Sequence, residues 1–162
     1  MIGKEKDWVY IDWADMDKDG PLCAEQMLYA ACFRVMAEIS EQLGKDGNVY
    51  RQEYEKLTAA IEKFFWDEEK GAYIDSFTSG KRNVTRHANI FAILFDIADK
   101  QKQEKILTNV LENDEIPAIT TPYFNFFELD VLCQMGKLTE VLDKIRSYSV
   151  SYTHLRAHET RG

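Results

Sequence analysis

The side chains of this chain that combine chemical capability with an apolar setting fall in three places. Asp12 and Trp13 close the segment Trp8-Val-Tyr-Ile-Asp-Trp13. Arg86, His87 and Asn89 open an otherwise apolar run. Tyr123, Phe124 and Glu128 lie in an aromatic-rich stretch. Buried carboxylates are rare unless paired, so Asp12 and Glu128 read either as salt-bridge partners or as pocket groups. If the chain held a whole active site, these two would be its acid–base candidates. Arg86, His87 and Asn89 must pair with one another or with a ligand. Tyr123 and Phe124 either line a pocket or belong to the core.

Other patterns carry less chemistry. Asp15-x-Asp17-x-Asp19-Gly20 mimics the start of a calcium loop, but position twelve is Gln26 and not a bidentate Glu. It reads as a solvated loop before Pro21, and no metal or other cofactor is expected. Cys23, Cys32 and Cys133 lack metal spacing and read as small core residues. The net charge of −8 argues against nucleic acid, which needs clustered Lys and Arg. No run of about 18 apolar residues is present to span a membrane. Met1 to Asp7 is polar and has no signal-type apolar run, which leaves the compartment open.

Six helical segments position these residues. They run from about Leu22 to Leu43, Val49 to Trp66, Thr85 to Ala98, Gln101 to Glu112, Tyr123 to Met135 and Leu138 to Tyr148. The second shows a one-sided stripe through Tyr50, Tyr54, Leu57, Ile61, Phe64 and Phe65, as a surface helix does. The third and fifth are apolar nearly all round, and the first on several sides. A helix apolar all round must be covered all round, so odd helices go inside and even helices outside. The expectation is an all-α chain of about three helical hairpins in two layers, either part of an (α/α)6 toroid or an open α-solenoid that binds a protein partner. Between Phe65 and Asp75 a charged turn with Gly71 at positive φ leads into an extended piece.

On these residues the chain resembles the six-hairpin glycosidases, and among them the α-L-rhamnosidase family (glycoside hydrolase family seventy-eight). The pieces are Trp8 to Trp13, similar to a Trp-x-Phe-x-Asp-Trp segment; Phe65-Trp66-Asp67 with Gly71-Ala72-Tyr73, similar to a toroid hairpin tip; Arg86-His87-Ala88-Asn89; and Ile119-Thr-Thr-Pro-Tyr-Phe124 with Glu128-Leu129 and Gly136. The resemblance implies a carbohydrate substrate, a rhamnoside or related glycoside, and inverting hydrolysis by two carboxylates in the complete enzyme. It places the general acid before Met1 and the general base beyond Ser147-Tyr148. No catalytic residue is therefore expected within the chain. Asp12, Trp13, Arg86, His87, Asn89, Tyr123, Phe124 and Glu128 are its expected substrate contacts.

The final residues follow a different pattern. Val150 to Thr160 has neither apolar period nor cap and resembles the translation of a transposon-type sequencing-library adaptor. Residues 1–148 are thus expected to form a partial glycosidase domain, and 149–162 a non-native tail that includes His154 and His158.

Overall fold

The computed structural model describes residues 10–147. The adaptor-like tail, with His154 and His158, and the first two residues of the Trp8–Trp13 segment lie outside that range.

Helix α1 (Cys23–Gln42) buries Met27 and the small residues Cys23, Ala24, Ala30, Ala31 and Ala37, which let two neighbouring helices come close. It ends at Gly44, whose φ of +67° is a conformation without penalty only for glycine. Helix α2 (Asn48–Phe65) packs on α1 and buries Leu57, Ile61 and Phe65 from its expected stripe. At the crossing, a Cβ on Gly47 would stand 2.7 Å from the Ala37 carbonyl oxygen, so the close approach requires glycine.

The chain then forms a two-stranded antiparallel hairpin, β1 (Trp66–Asp67) and β2 (Ala72–Tyr73), with Trp66 opposite Tyr73 and Asp67 opposite Ala72. Gly71 turns it at φ +59°. The Arg82 guanidinium grips the Asp67 carboxylate through Nε at 2.5 Å and Nη2 at 2.6 Å. That pairing holds the Asp67 carboxyl below its ordinary value.

Helix α3 (Arg86–Leu94) is the most deeply covered element, with every residue from Arg86 to Ile93 buried. It stops well short of Ala98, where the apolar run suggested. Asp96 takes φ +52°, and the amides of Ile97 and Ala98 both donate to the Ala92 carbonyl at 2.9 and 3.0 Å. The reversal satisfies the helix's orphan carbonyl and still leaves Ala98 buried.

Helix α4 (Lys100–Ile106) starts at Asp99, whose carboxylate accepts the Lys102 amide. It loosens to a wider turn with i→i+5 bonding over Leu107–Leu111. Helix α5 (Pro122–Gln134) is capped by Thr121 with Pro122 in its first turn, where the missing N–H costs nothing. Helix α6 spans 138–147.

Helices α1, α3 and α5 lie side by side as an inner row, α2 covers α1, and α4 with its loosened turn covers α3. The architecture is all-α in two layers, part of a toroid. The sheathing of the inner row is uneven. α3 has an inner neighbour on both flanks. α1 leaves Leu28, Val35, Met36 and Ile39 at 42–47% exposure, and α5 leaves Tyr123 and Phe126 at 59% and 66%. The reading of all three cysteines as core residues holds for Cys23 alone. Cys32 and Cys133 are exposed, because they fall on the open flanks of α1 and α5.

Candidate functional site

The start of α3 meets the loop before α1 and the loop before α5, and the polar residues there separate into two groups. The first surrounds Asp12, which is only 2% exposed. Its Oδ2 lies 3.0 Å from His87 Nε2 and accepts the Thr121 hydroxyl at 2.9 Å. Its other oxygen, Oδ1, is buried with no hydrogen-bond partner. Asp12, Trp13, Asp15 and His87 line a cavity of about 240 Å3 together with residues 117–120. Trp13 stands at its edge, 76% exposed, with Tyr10 packed edge-on at 5.4 Å.

His87 is held from behind. Its Nδ1 is 3.3 Å from Thr85 Oγ1, and Thr85 donates its hydroxyl to Asp75 Oδ1 at 2.7 Å. Asp75 Oδ2 accepts from the Asp17 amide at 3.2 Å and from Asn83 Nδ2 at 2.6 Å. Burial pushes the Asp75 carboxyl above its ordinary value, and these three donors partly offset that. The Phe124 ring closes the other face of His87, centroids 4.4 Å apart.

The second group is an ionic latch. Arg86 Nη1 donates to Glu128 Oε1 at 2.5 Å, joining α3 to α5. Lys144 on α6 forms an ion pair with Glu128 Oε2 at 3.3 Å, although that oxygen and Arg86 Nε make no hydrogen bond. Arg86 Nη2 also reaches the carbonyls of Asn113 and Ile116, each at 3.4 Å. With Glu128 fully buried and Arg86 4% exposed, the latch is inside the protein.

The eight expected substrate contacts therefore do not form one surface. Asp12, Trp13 and His87 share the cavity. Arg86 and Glu128 spend their charges on each other. Asn89 is a strut: its Oδ1 accepts the Tyr73 amide at 2.9 Å, and its Nδ2 donates to the carbonyls of Tyr73 and Thr85. That pins the hairpin onto α3. Phe124 is fully buried against Phe91 and His87, a core residue behind the cavity. Tyr123 is 59% exposed, with its ring against Phe127, and is not among the residues lining the cavity.

Sequence reasoning missed Thr85, Thr121, Asp75 and Lys144. Thr121 carried a signal, since Thr before Pro marks a helix cap. The other three had none, because their partners come from other elements or loops and no local pattern announces them. The acidic loop is engaged within the fold: Asp17 accepts the Asp19 amide and the Ser79 hydroxyl. Among the described residues no group of three or more His, Cys, Asp or Glu side chains is arranged to hold a metal. Nor is any helix there long and apolar enough to cross a membrane.

The family described as the bacterial alpha-L-rhamnosidase 6 hairpin glycosidase domain matches residues 2–120. The rhamnosidase from Klebsiella oxytoca, solved with rhamnose bound, is 25% identical, with a TM-score of 0.74 over 91% of this chain and 28% of that one. The family-78 rhamnosidase of Bacillus sp. GL1 is 24% identical, with a TM-score of 0.80 over 91% of this chain and 16% of that one. The chain thus spans under a third of either structure. No curated protein matches it.

Proposed function

The chain belongs to the bacterial α-L-rhamnosidase six-hairpin glycosidase domain family, and from that membership we propose that it supplies part of the sugar-binding floor of an inverting α-L-rhamnosidase. The observation that carries the reading is Asp12, a cavity-lining residue buried to 2% whose Oδ1 accepts no hydrogen bond. A buried charged acceptor left empty is costly, and a sugar hydroxyl is the donor that fits it. The exposed Trp13 ring at the rim offers an apolar face for a pyranose to stack on. The solved relative with rhamnose bound supports a deoxyhexose as the sugar.

The chain binds and does not cleave. Inverting hydrolysis takes two carboxyl groups about 6.5–9.5 Å apart across the glycosidic bond, one protonating the leaving oxygen and one activating water. Glu128 is sealed between Arg86 and Lys144 and meets no substrate. By the family resemblance the two catalytic carboxylates belong to other parts of the full enzyme, so this chain contributes binding groups. The domain is residues 1–148, and the adaptor-like tail takes no part.

The test is a titration of L-rhamnose into the chain, followed by Trp fluorescence, alongside an assay on an aryl rhamnoside. Weak saturable binding, on the order of millimolar, is expected to disappear in Asp12→Ala, with hydrolysis at background. Clear turnover by the isolated chain, or binding indifferent to Asp12→Ala, refutes the reading.

A further inference from the structure

The contacts of His87 fix where its protons are. Thr85 Oγ1 has one hydrogen, and it goes to Asp75 Oδ1 at 2.7 Å. Toward His87 Nδ1, 3.3 Å away, that oxygen can only accept, so Nδ1 must carry a proton. On the opposite side of the ring, Nε2 faces Asp12 Oδ2 at 3.0 Å, an oxygen that already takes the Thr121 hydroxyl. Thr121 itself accepts the Phe124 amide through the same hydroxyl, which leaves its hydrogen for Asp12. Nε2 therefore also faces an acceptor and must carry a proton. A neutral imidazole cannot donate from both nitrogens.

Asp75 sets the direction of this chain of bonds. Its Oδ2 receives the Asp17 amide and Asn83 Nδ2, and its Oδ1 receives Thr85. Three donors converge on its two oxygens, the acceptor-only pattern that suits a carboxylate. The Phe124 ring covers the open face of the imidazole, and the nearby Arg86 guanidinium is engaged by Glu128, so Asp12 and Asp75 are the anions that His87 answers to.

We propose that Asp75, acting through Thr85, is a positioning residue that holds His87 as a doubly protonated ring, so that Asp12 stays a carboxylate whose free Oδ1 can accept a substrate hydroxyl. The proton arrangement stands on the geometry, and only the purpose of that free oxygen rests on the sugar-binding reading.

The bond logic makes Asp75→Asn a reversal and not a simple loss. The two donors at the Oδ2 position hold the amide oxygen there, so the amide NH2 turns to Thr85 Oγ1. The Thr85 hydrogen is then free for His87 Nδ1, which becomes bare. The measurement is 15N magic-angle-spinning NMR of histidine-labelled full-length chain near neutral pH, which needs no monodisperse sample, with the His87 signals identified by their loss in His87→Gln. In the unmodified chain and in Thr85→Ser both His87 nitrogens should resonate as protonated. In Asp75→Asn, and in Thr85→Val, Nδ1 should move to the unprotonated range. A bare nitrogen in the unmodified chain, or two protonated nitrogens in Asp75→Asn, overturns the assignment. L-rhamnose added to the same sample separates the two claims: a doubly protonated ring with no response to sugar refutes the sugar reading alone.

Discussion

Asp12 and Glu128 are both carboxylates buried almost completely at the meeting of the inner helices, and the protein treats them differently. Glu128 has a cation on each side, Arg86 at 2.5 Å and Lys144 at 3.3 Å, and ties α3, α5 and α6 together. Asp12 has a histidine and a threonine on one oxygen and nothing on the other. Both arrangements answer the same desolvation problem. Where the counter-charges close round the carboxylate, the result is a structural latch. Where one oxygen of a cavity-lining carboxylate accepts nothing, the result is the position proposed for a ligand.

The largest way to break this comparison is Glu128→Ala. It leaves the Arg86 guanidinium buried without its anion and should cost about 3–5 kcal/mol of unfolding free energy, read from the urea midpoint. A loss below about 1 kcal/mol would remove the latch. Close behind comes Phe124→Ala, which empties the space between His87 and Phe91 and should cost about 3–5 kcal/mol. Phe126→Ala, two residues along the same helix but exposed, should stay within about 0.5 kcal/mol. Equal losses at the two positions would show that α5 has no open flank.

Asp12→Ala sharpens the contrast, because it should cost less stability than Glu128→Ala, about 1–3 kcal/mol for His87 left without its acceptor, while abolishing rhamnose binding. Trp13→Ala should leave the melting curve within about 0.5 kcal/mol yet weaken sugar binding by roughly 2- to 10-fold, the worth of one aromatic face. The smallest effect belongs to the hairpin. The Asp67 carboxyl is held below its ordinary value by Arg82, so its contribution is present above the unfolded value and is lost as pH falls through the lowered one. Arg82→Gln should therefore lower stability slightly at neutral pH and flatten the acid limb, the difference vanishing once Asp67 is protonated, and the effect is small since Arg82 is 46% exposed.

Much of the fold was legible because it rests on periodicity. The stripe from Tyr50 to Phe65 and the all-round apolarity of the run at Ile90 to Phe95 point to an outer and an inner helix by burial alone. Gly44, Gly71 and Pro122 mark ends and turns by their backbone chemistry. The early stop of α3 was hidden, since Ile97 continues the apolar pattern and nothing local announces the reversal at Asp96. The site was legible only as a set of candidates. Asp12, Trp13 and His87 meet at one cavity, while Asn89 turned inward to hold Tyr73 and Phe124 joined the core.

By itself the sequence determined which stretches are helices, which of them must be hidden, and which polar residues sit where polarity is expensive. Those properties depend on neighbours a few residues apart. Only the tertiary structure decided which buried charge is matched and which keeps an empty oxygen, because the partners come from far along the chain: His87 and Thr121 for Asp12, Arg86 and Lys144 for Glu128. A carboxylate's role is set by what surrounds it within a few ångströms, and residue spacing along the chain does not record that.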